Sequence, residues 1–202
     1  PWGLAFLPNN DILITERDGD FFRYRAGEPL HKIEGVPKVW SKGQGGLLDV
    51  EIHPDFEKNK IIYLSYSKPG GNGKATTAIL KAKLKKDKLK NQKVIFEANP
   101  YLKTKYHYGS RMEFDKDGYL YFSVGDRGKR DDNPQFLNNH CGKIHRINAD
   151  GSIPKDNPFV NTPDAMPTIY SYGHRNPQGL TMNPTTGNIW VNEHGPRGGD
   201  EL

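Results

Sequence analysis

The residues of this sequence best placed to move a proton are His107 and Asp126. Lys103 to Gly128 reads KTKYHYGSRMEFDKDGYLYFSVGDRG. Arg-Met-Glu-Phe, a turn at Asp-Lys-Asp-Gly, and Tyr-Leu-Tyr-Phe-Ser-Val make an antiparallel strand pair. The histidine lies just before the first strand and the aspartate just after the second, so the hairpin brings them to one rim. A carboxylate on one imidazole nitrogen fixes the tautomer and leaves the other nitrogen to accept a proton near neutral pH. Similar residues recur at the ends of other strands. They are Gln44 in GQGGLLDV, Arg175, Asn176 and Gln178 in YGHRNPQGL, and His194, Gly195 and Pro196 in NEHGPRGGDE. Each alone has a plain structural use. A lone histidine is usually structural, Asp126-Arg127-Gly128 can stabilise a turn through its side chain, and Arg175-Asn176-Pro177 can open one. Their recurrence at equivalent positions sets them apart. His31, His53, His140 and His145 fit structural or exposed roles, and His174 neighbours the site. There is no His-Glu-x-x-His metal spacing, no glycine-rich phosphate loop and no Gly-x-Ser-x-Gly elbow.

The elements that must position these residues repeat along the chain. GLAFLPNNDILITER (3–17), LLDVEIHPDFEKNKIIYLSYS (47–67), SRMEFDKDGYLYFSVGD (110–126) and GLTMNPTTGNIWVNEHG (179–195) each read as strand, polar turn, strand. Phe6, Ile52, Phe114 and Met182 occupy equivalent positions. DFFRYRAG, TTAILKAKLK and GKIHRINADG supply a third strand per unit, with room for a fourth. No stretch carries a helical period over twelve residues. The fold class is therefore all-β, and a radially repeated antiparallel unit points to a β-propeller rather than a sandwich, with the strand ends converging on a central channel.

Composition bounds the rest. A chain of 202 residues can bury one sizeable core, and 22 Gly with 15 Pro fit a turn-rich β protein. No apolar run reaches membrane-spanning length. The net charge of +5 does not mark a nucleic-acid surface. The densest basic run, KAKLKKDKLKNQK (81–93), has no interleaved aromatics and reads as a solvated outer strand and its turn. Cys141 is the one cysteine and reads as a buried structural thiol. The sequence begins at Pro1 without a visible leader, which reads as a processed or partial chain.

Several segments carry a family resemblance: PWGLAFLP, GQGGLLDVEIHPDF, YHYGSRMEFDKDGYLYFSVGDRG, GKIHRINADGSIPKDNPF, YGHRNPQGL and EHGPRGGDE. The sequence resembles the soluble aldose sugar dehydrogenases of the glucose/sorbosone dehydrogenase family, which use pyrroloquinoline quinone (PQQ). The match runs through nearly the whole chain in family order. It implies a six-bladed β-propeller with PQQ and calcium on its axis. About four blades would lie in residues 1–202, as a single partial domain.

By the same resemblance, His107 is the base that takes the proton of the sugar C1 hydroxyl while hydride leaves for the quinone, and Asp126 orients it. Gln44 meets the substrate. Arg175 and Asn176 lie beside the cofactor and stabilise charge on the reduced quinone, and His194 belongs with the cofactor-binding residues. The carbonyls of Gly195 and Pro196 hold calcium, and Glu201 resembles a further ligand. Tyr106 stands where glucose-oxidising relatives carry Asp, and the loop after Asp126 is shorter than theirs, which favours broad aldose oxidation. The family's later blades, with the Lys and Arg that grip PQQ, lie outside this sequence. A periplasmic or secreted location, an external electron acceptor and self-assembly of a natively short chain are further expectations. Two other readings stand beside this one: a calcium-dependent lactonase-type hydrolase, and a binding propeller without catalysis.

Overall fold

The computed structural model describes residues 1–202 as four antiparallel sheets, three of them four-stranded meanders in chain order. The first sheet contains β1 (Leu4–Phe6), β2 (Ile12–Thr15), β3 (Phe21–Tyr24) and β4 (His31–Lys32). The second contains β5 (Leu47–Ile52), β6 (Ile61–Pro69), β7 (Ala75–Lys85) and β8 (Lys88–Glu97). The third contains β9 (Met112–Phe114), β10 (Tyr119–Val124), β11 (Lys143–Asn148) and β12 (Ile169–Tyr172). The fourth pairs β13 (Pro177–Met182) with β14 (Ile189–Glu193). The helix α1 is a single turn, Phe56–Asn59, inside the β5–β6 connection, and no helix is long and apolar enough to cross a membrane.

All four repeats expected from the sequence are hairpins in the same register. Their equivalent apolar residues are the last of each first strand, paired as Phe6–Ile12, Ile52–Ile62, Phe114–Leu120 and Met182–Ile189. The turns follow from composition. In the third hairpin the Asp115 carboxylate accepts from the amides of Asp117 and Tyr119, and Gly118 takes φ 83° to close the turn.

The sheets stack face against face in chain order, with their first strands side by side. Two apolar layers bind them. One packs Leu13 and Phe21 of the first sheet on Leu47, Ile62 and Leu64 of the second. The other packs Tyr63 and Ile79 of the second sheet on Met112, Leu120 and Phe122 of the third. Adjacent residues Ile62, Tyr63 and Leu64 thus enter opposite layers, because side chains alternate across a strand. This explains why IIYLSY is apolar without alternation: the sheet is covered on both faces.

The lysine run lies at the rim of the second sheet, as its charge suggests, but spans two strands rather than one. Lys81 stands opposite Lys93, Lys83 opposite Lys90 and Lys85 opposite Lys88. Strand β7 is paired on both sides, and β8, which carries Lys88, Lys90 and Lys93, is the outermost strand of the sheet. The buried Ala82, Leu84 and Leu89 fix the hairpin.

Candidate active site

The site is built around the ends of the third hairpin. Beyond β10 the chain continues into Gly125-Asp126-Arg127, and before β9 it passes through Tyr106-His107-Tyr108. His107 has φ 58°, a left-handed conformation unusual for a residue with a side chain. Two features accommodate it. The Gln44 Oε1 accepts a hydrogen bond from the His107 amide at 2.7 Å. Gly125 lets the His107 carbonyl come close, where any Cβ would collide with it.

The ring then meets Asp126: His107 Nδ1 lies 2.6 Å from Asp126 Oδ1. The same oxygen accepts from the Gly128 amide at 2.6 Å. With the carboxylate ionised and the ring neutral, Nδ1 is the donor of this contact and Nε2 keeps its lone pair. Nε2 makes no hydrogen bond within the protein. Asp126 is almost wholly buried, and its second oxygen, Oδ2, has no partner. The aspartate is held from behind as well: its amide donates to the Arg175 carbonyl at 2.7 Å, and its carbonyl accepts from Asn133 Nδ2 at 2.8 Å.

The fourth hairpin brings Arg175 and Asn176 to the same rim. Their amides donate to Glu193 Oε2 at 2.6 and 3.1 Å, while Glu193 Oε1 faces His174 Nδ1 at 3.3 Å. Burial pushes the Glu193 carboxyl up, but the His174 hydrogen bond and the two amides outweigh it and hold it below the usual range. Asn176 is buried, and its Oδ1 accepts from the Gly109 amide at 3.2 Å. Arg175 Nη1 donates to the carbonyls of His194 and Gly195 at 2.8 and 3.2 Å.

Gln44, Asn176 and His194 line one cavity of about 290 Å³, together with Arg17, Trp2 and Tyr108. Arg175, Gly195, Pro196 and Glu201 line an adjoining one of about 260 Å³. Asp126 and His107 are joined to each other but line neither cavity. The first cavity offers what an anionic molecule needs, a guanidinium and side-chain amides, while the rings of Trp2 and Tyr108 already carry Arg111 and Arg127. The oxygen set for calcium is less complete. The Gly195 carbonyl already accepts from a guanidinium, and the Pro196 carbonyl accepts from the Gly199 amide at 3.2 Å. Two carbonyls fall well short of the 6–8 oxygens that calcium takes. Glu201 is engaged through its backbone, paired with Glu193. No group of three or more His, Cys, Asp or Glu side chains is placed to hold a metal.

Sequence reasoning passed over two residues of the site. Glu193 ties down the Arg175-Asn176 backbone. Arg127, read above as a turn residue, is wholly buried beneath the 104–108 segment. Both stood in recognisable words, NEHG and GDRG, beside residues that had been singled out. Cys141 is buried as expected, and burial pushes its thiol up to about 11.

The Glucose / Sorbosone dehydrogenase family profile matches residues 1–202. The chain belongs to the glucose/sorbosone dehydrogenase family. Among its relatives, Escherichia coli aldose sugar dehydrogenase YliI is 47% identical over the full chain, which covers 55% of that protein. The crystal structure of the soluble E. coli aldose sugar dehydrogenase in its apo form superposes with a TM-score of 0.96 at 46% identity, over 100% of this chain and 59% of that one. The PQQ-bound aldose sugar dehydrogenase of Streptomyces coelicolor gives 0.87 at 30% identity, over 100% and 58%. This member of the family spans about half the length of the curated relatives it matches.

Proposed function

We propose that the protein oxidises aldose sugars at C1 to lactones, with PQQ as the bound oxidant and His107 as the base. The observation that carries this reading is the 2.6 Å contact of His107 Nδ1 with Asp126, which leaves Nε2 free to take a proton. The family match and the PQQ-bound relative give the substrate class and the cofactor.

When bound, PQQ supplies a two-electron acceptor for hydride. The sugar C1–H bond breaks and its electron pair leaves with the hydrogen. The hydroxyl proton passes to His107 Nε2, and the C1–O bond becomes a carbonyl. Asp126 steadies the imidazolium that forms, as a carboxylate behind a general base does. Arg17, Asn176 and His194 line the cavity suited to the cofactor, and Arg175 supplies a cation at its edge. Gln44 turns its oxygen to the His107 amide, which leaves its Nε2 for a sugar hydroxyl. Calcium at the Gly195 and Pro196 carbonyls would need further oxygen ligands that these residues do not supply. We further propose that residues 1–202 form one part of a six-bladed propeller domain, with the sugar, an external electron acceptor and a periplasmic or secreted location as expected of this family.

The test is dye reduction by the full-length protein with a panel of aldoses, with PQQ and calcium each added or withheld. Turnover of several aldoses only when PQQ is present supports the proposal. No oxidation of any aldose with both added contradicts it. Lactone hydrolysis indifferent to PQQ would favour the hydrolase instead.

A further inference from the structure

Arg127 is the largest side chain with no solvent exposure at all. Its guanidinium forms no ion pair with a carboxylate. It donates to three backbone carbonyls: Nε to Tyr106 at 3.1 Å, Nη1 to Ala75 at 3.2 Å and Nη2 to Thr104 at 2.7 Å. The Tyr108 ring lies 3.8 Å from its central carbon. Burying a cation without a paired anion is unfavourable, so a fold that only needed to fill this space would do better with an apolar side chain. The planar fork does what an apolar group cannot. It fixes the relative positions of two carbonyls of one segment, those of Thr104 and Tyr106.

That segment leads directly into His107, which is held at φ 58°. Such conformations persist only where the surroundings over-determine them. Arg127 is also the chain neighbour of Asp126. One residue therefore grips the ring of His107, and the next grips the backbone that delivers it.

We propose that Arg127 is a positioning residue for the reaction: its buried guanidinium clamps residues 104–106 so that the His107 ring reaches Asp126 with Nε2 directed at the substrate. This rests on the reading of His107 as the base. Arg127 touches neither substrate nor cofactor and acts only through His107.

The test is a double-mutant cycle on the full-length, PQQ-loaded protein. Arg127→Lys keeps the charge but loses the fork. It is expected to lower kcat for aldose oxidation about 100-fold, as displacements of about 1 Å do in such sites. KM and PQQ affinity are expected to stay within about twofold, since uniform binding is untouched. In the His107→Ala background the same substitution is expected to change the residual kcat by less than about twofold, because the coupled pair acts as one unit. A second readout needs no turnover. The downfield proton resonance of His107 Nδ1–H against Asp126 should be present in the wild type and absent from folded Arg127→Lys. Equal fold-losses in both backgrounds, an unchanged kcat in Arg127→Lys, or a retained resonance would each overturn the proposal. If Arg127→Lys does not fold, Arg127→Gln keeps a neutral donor but loses the fork and must show the same dependence on His107; equal losses overturn the proposal here too. Full activity in His107→Ala would instead defeat the assignment of the base, and this inference with it. A slow His107→Ala with multiplying losses defeats the role of Arg127 alone.

Discussion

His107 illustrates how much of a proposed base's chemistry lies in its neighbours. An imidazole on a loop has two interchangeable nitrogens, and only the buried Asp126 oxygen at 2.6 Å decides which one carries the proton. Asp126→Asn removes the obligate acceptor and allows the wrong tautomer. Steady-state kinetics should show kcat down by about 10²–10⁴-fold with KM little changed. Gly125 supports the same geometry by its missing side chain. Gly125→Ala drives a methyl group into the His107 carbonyl, so it should destabilise the fold by roughly 1–3 kcal/mol in urea melts and lower kcat as well. The convergence of His107 with Asp126 from the two ends of one hairpin was legible in the sequence. Side-chain direction was not. Gln44 reads as a substrate contact, yet its Oε1 is taken by the His107 amide. Arg127 reads as part of a turn, yet it points inward under a segment some twenty residues earlier. Such directions depend on the path of neighbouring loops, which local sequence does not encode.

At the scale of elements, strand alternation and turn chemistry carried most of the information. Each hairpin announced itself by Pro, Asn, Asp or Gly between apolar runs, and the four equivalent residues fall in one register. The lysine run hid a strand boundary, because one stretch of charge covers both the inner β7 and the outer β8 and only the turn at Lys86-Asp87 divides them. The first strands also set three carboxylates, Asp49, Glu51 and Glu113, into one cavity of about 740 Å³. Burial pushes Glu51 up to about 8, with Glu113 and Asp49 adding to the effect. Burial pushes Glu113 up to about 7, again with help from Asp49. A carboxyl raised in the folded state binds its proton more tightly there than in the unfolded chain. Its stabilising contribution is therefore complete below pH about 4.5 and is lost as pH rises through about 8. Glu51→Gln removes that loss. Thermal melts should show the variant gaining on the wild type as pH rises from about 4.5 to 8, at about 2–4 °C for each kcal/mol recovered. A constant difference across that range would contradict the assignment.

Across the whole molecule, the second sheet is the keystone. Its two faces feed separate apolar layers, and it alone is covered on both sides by four-stranded neighbours. The first and fourth sheets leave Leu4, Phe6 and Trp190 substantially exposed. Repetition made this stacking legible in outline, since the first three units share one strand order and the fourth repeats its opening hairpin. The incomplete oxygen set at Gly195 and Pro196 makes a further prediction at this scale. Calcium alone should leave the melting temperature of the full-length protein unchanged, and calcium with PQQ should raise it beyond PQQ alone, because a ligand stabilises only the state that binds it. A rise with calcium alone would mean that the protein supplies a complete metal site without the cofactor.

In the proposed reaction His107 accepts the substrate proton while other residues hold the cofactor. The most direct measurement is single-turnover reduction of bound PQQ by an aldose, followed by absorbance in full-length wild type and His107→Ala at matched PQQ occupancy. Equal PQQ binding is expected in the two proteins, with reduction slowed by about 10²–10⁴-fold in His107→Ala. Reduction at the wild-type rate in His107→Ala would show that the proton goes elsewhere and that His107 serves only the structure of its loop.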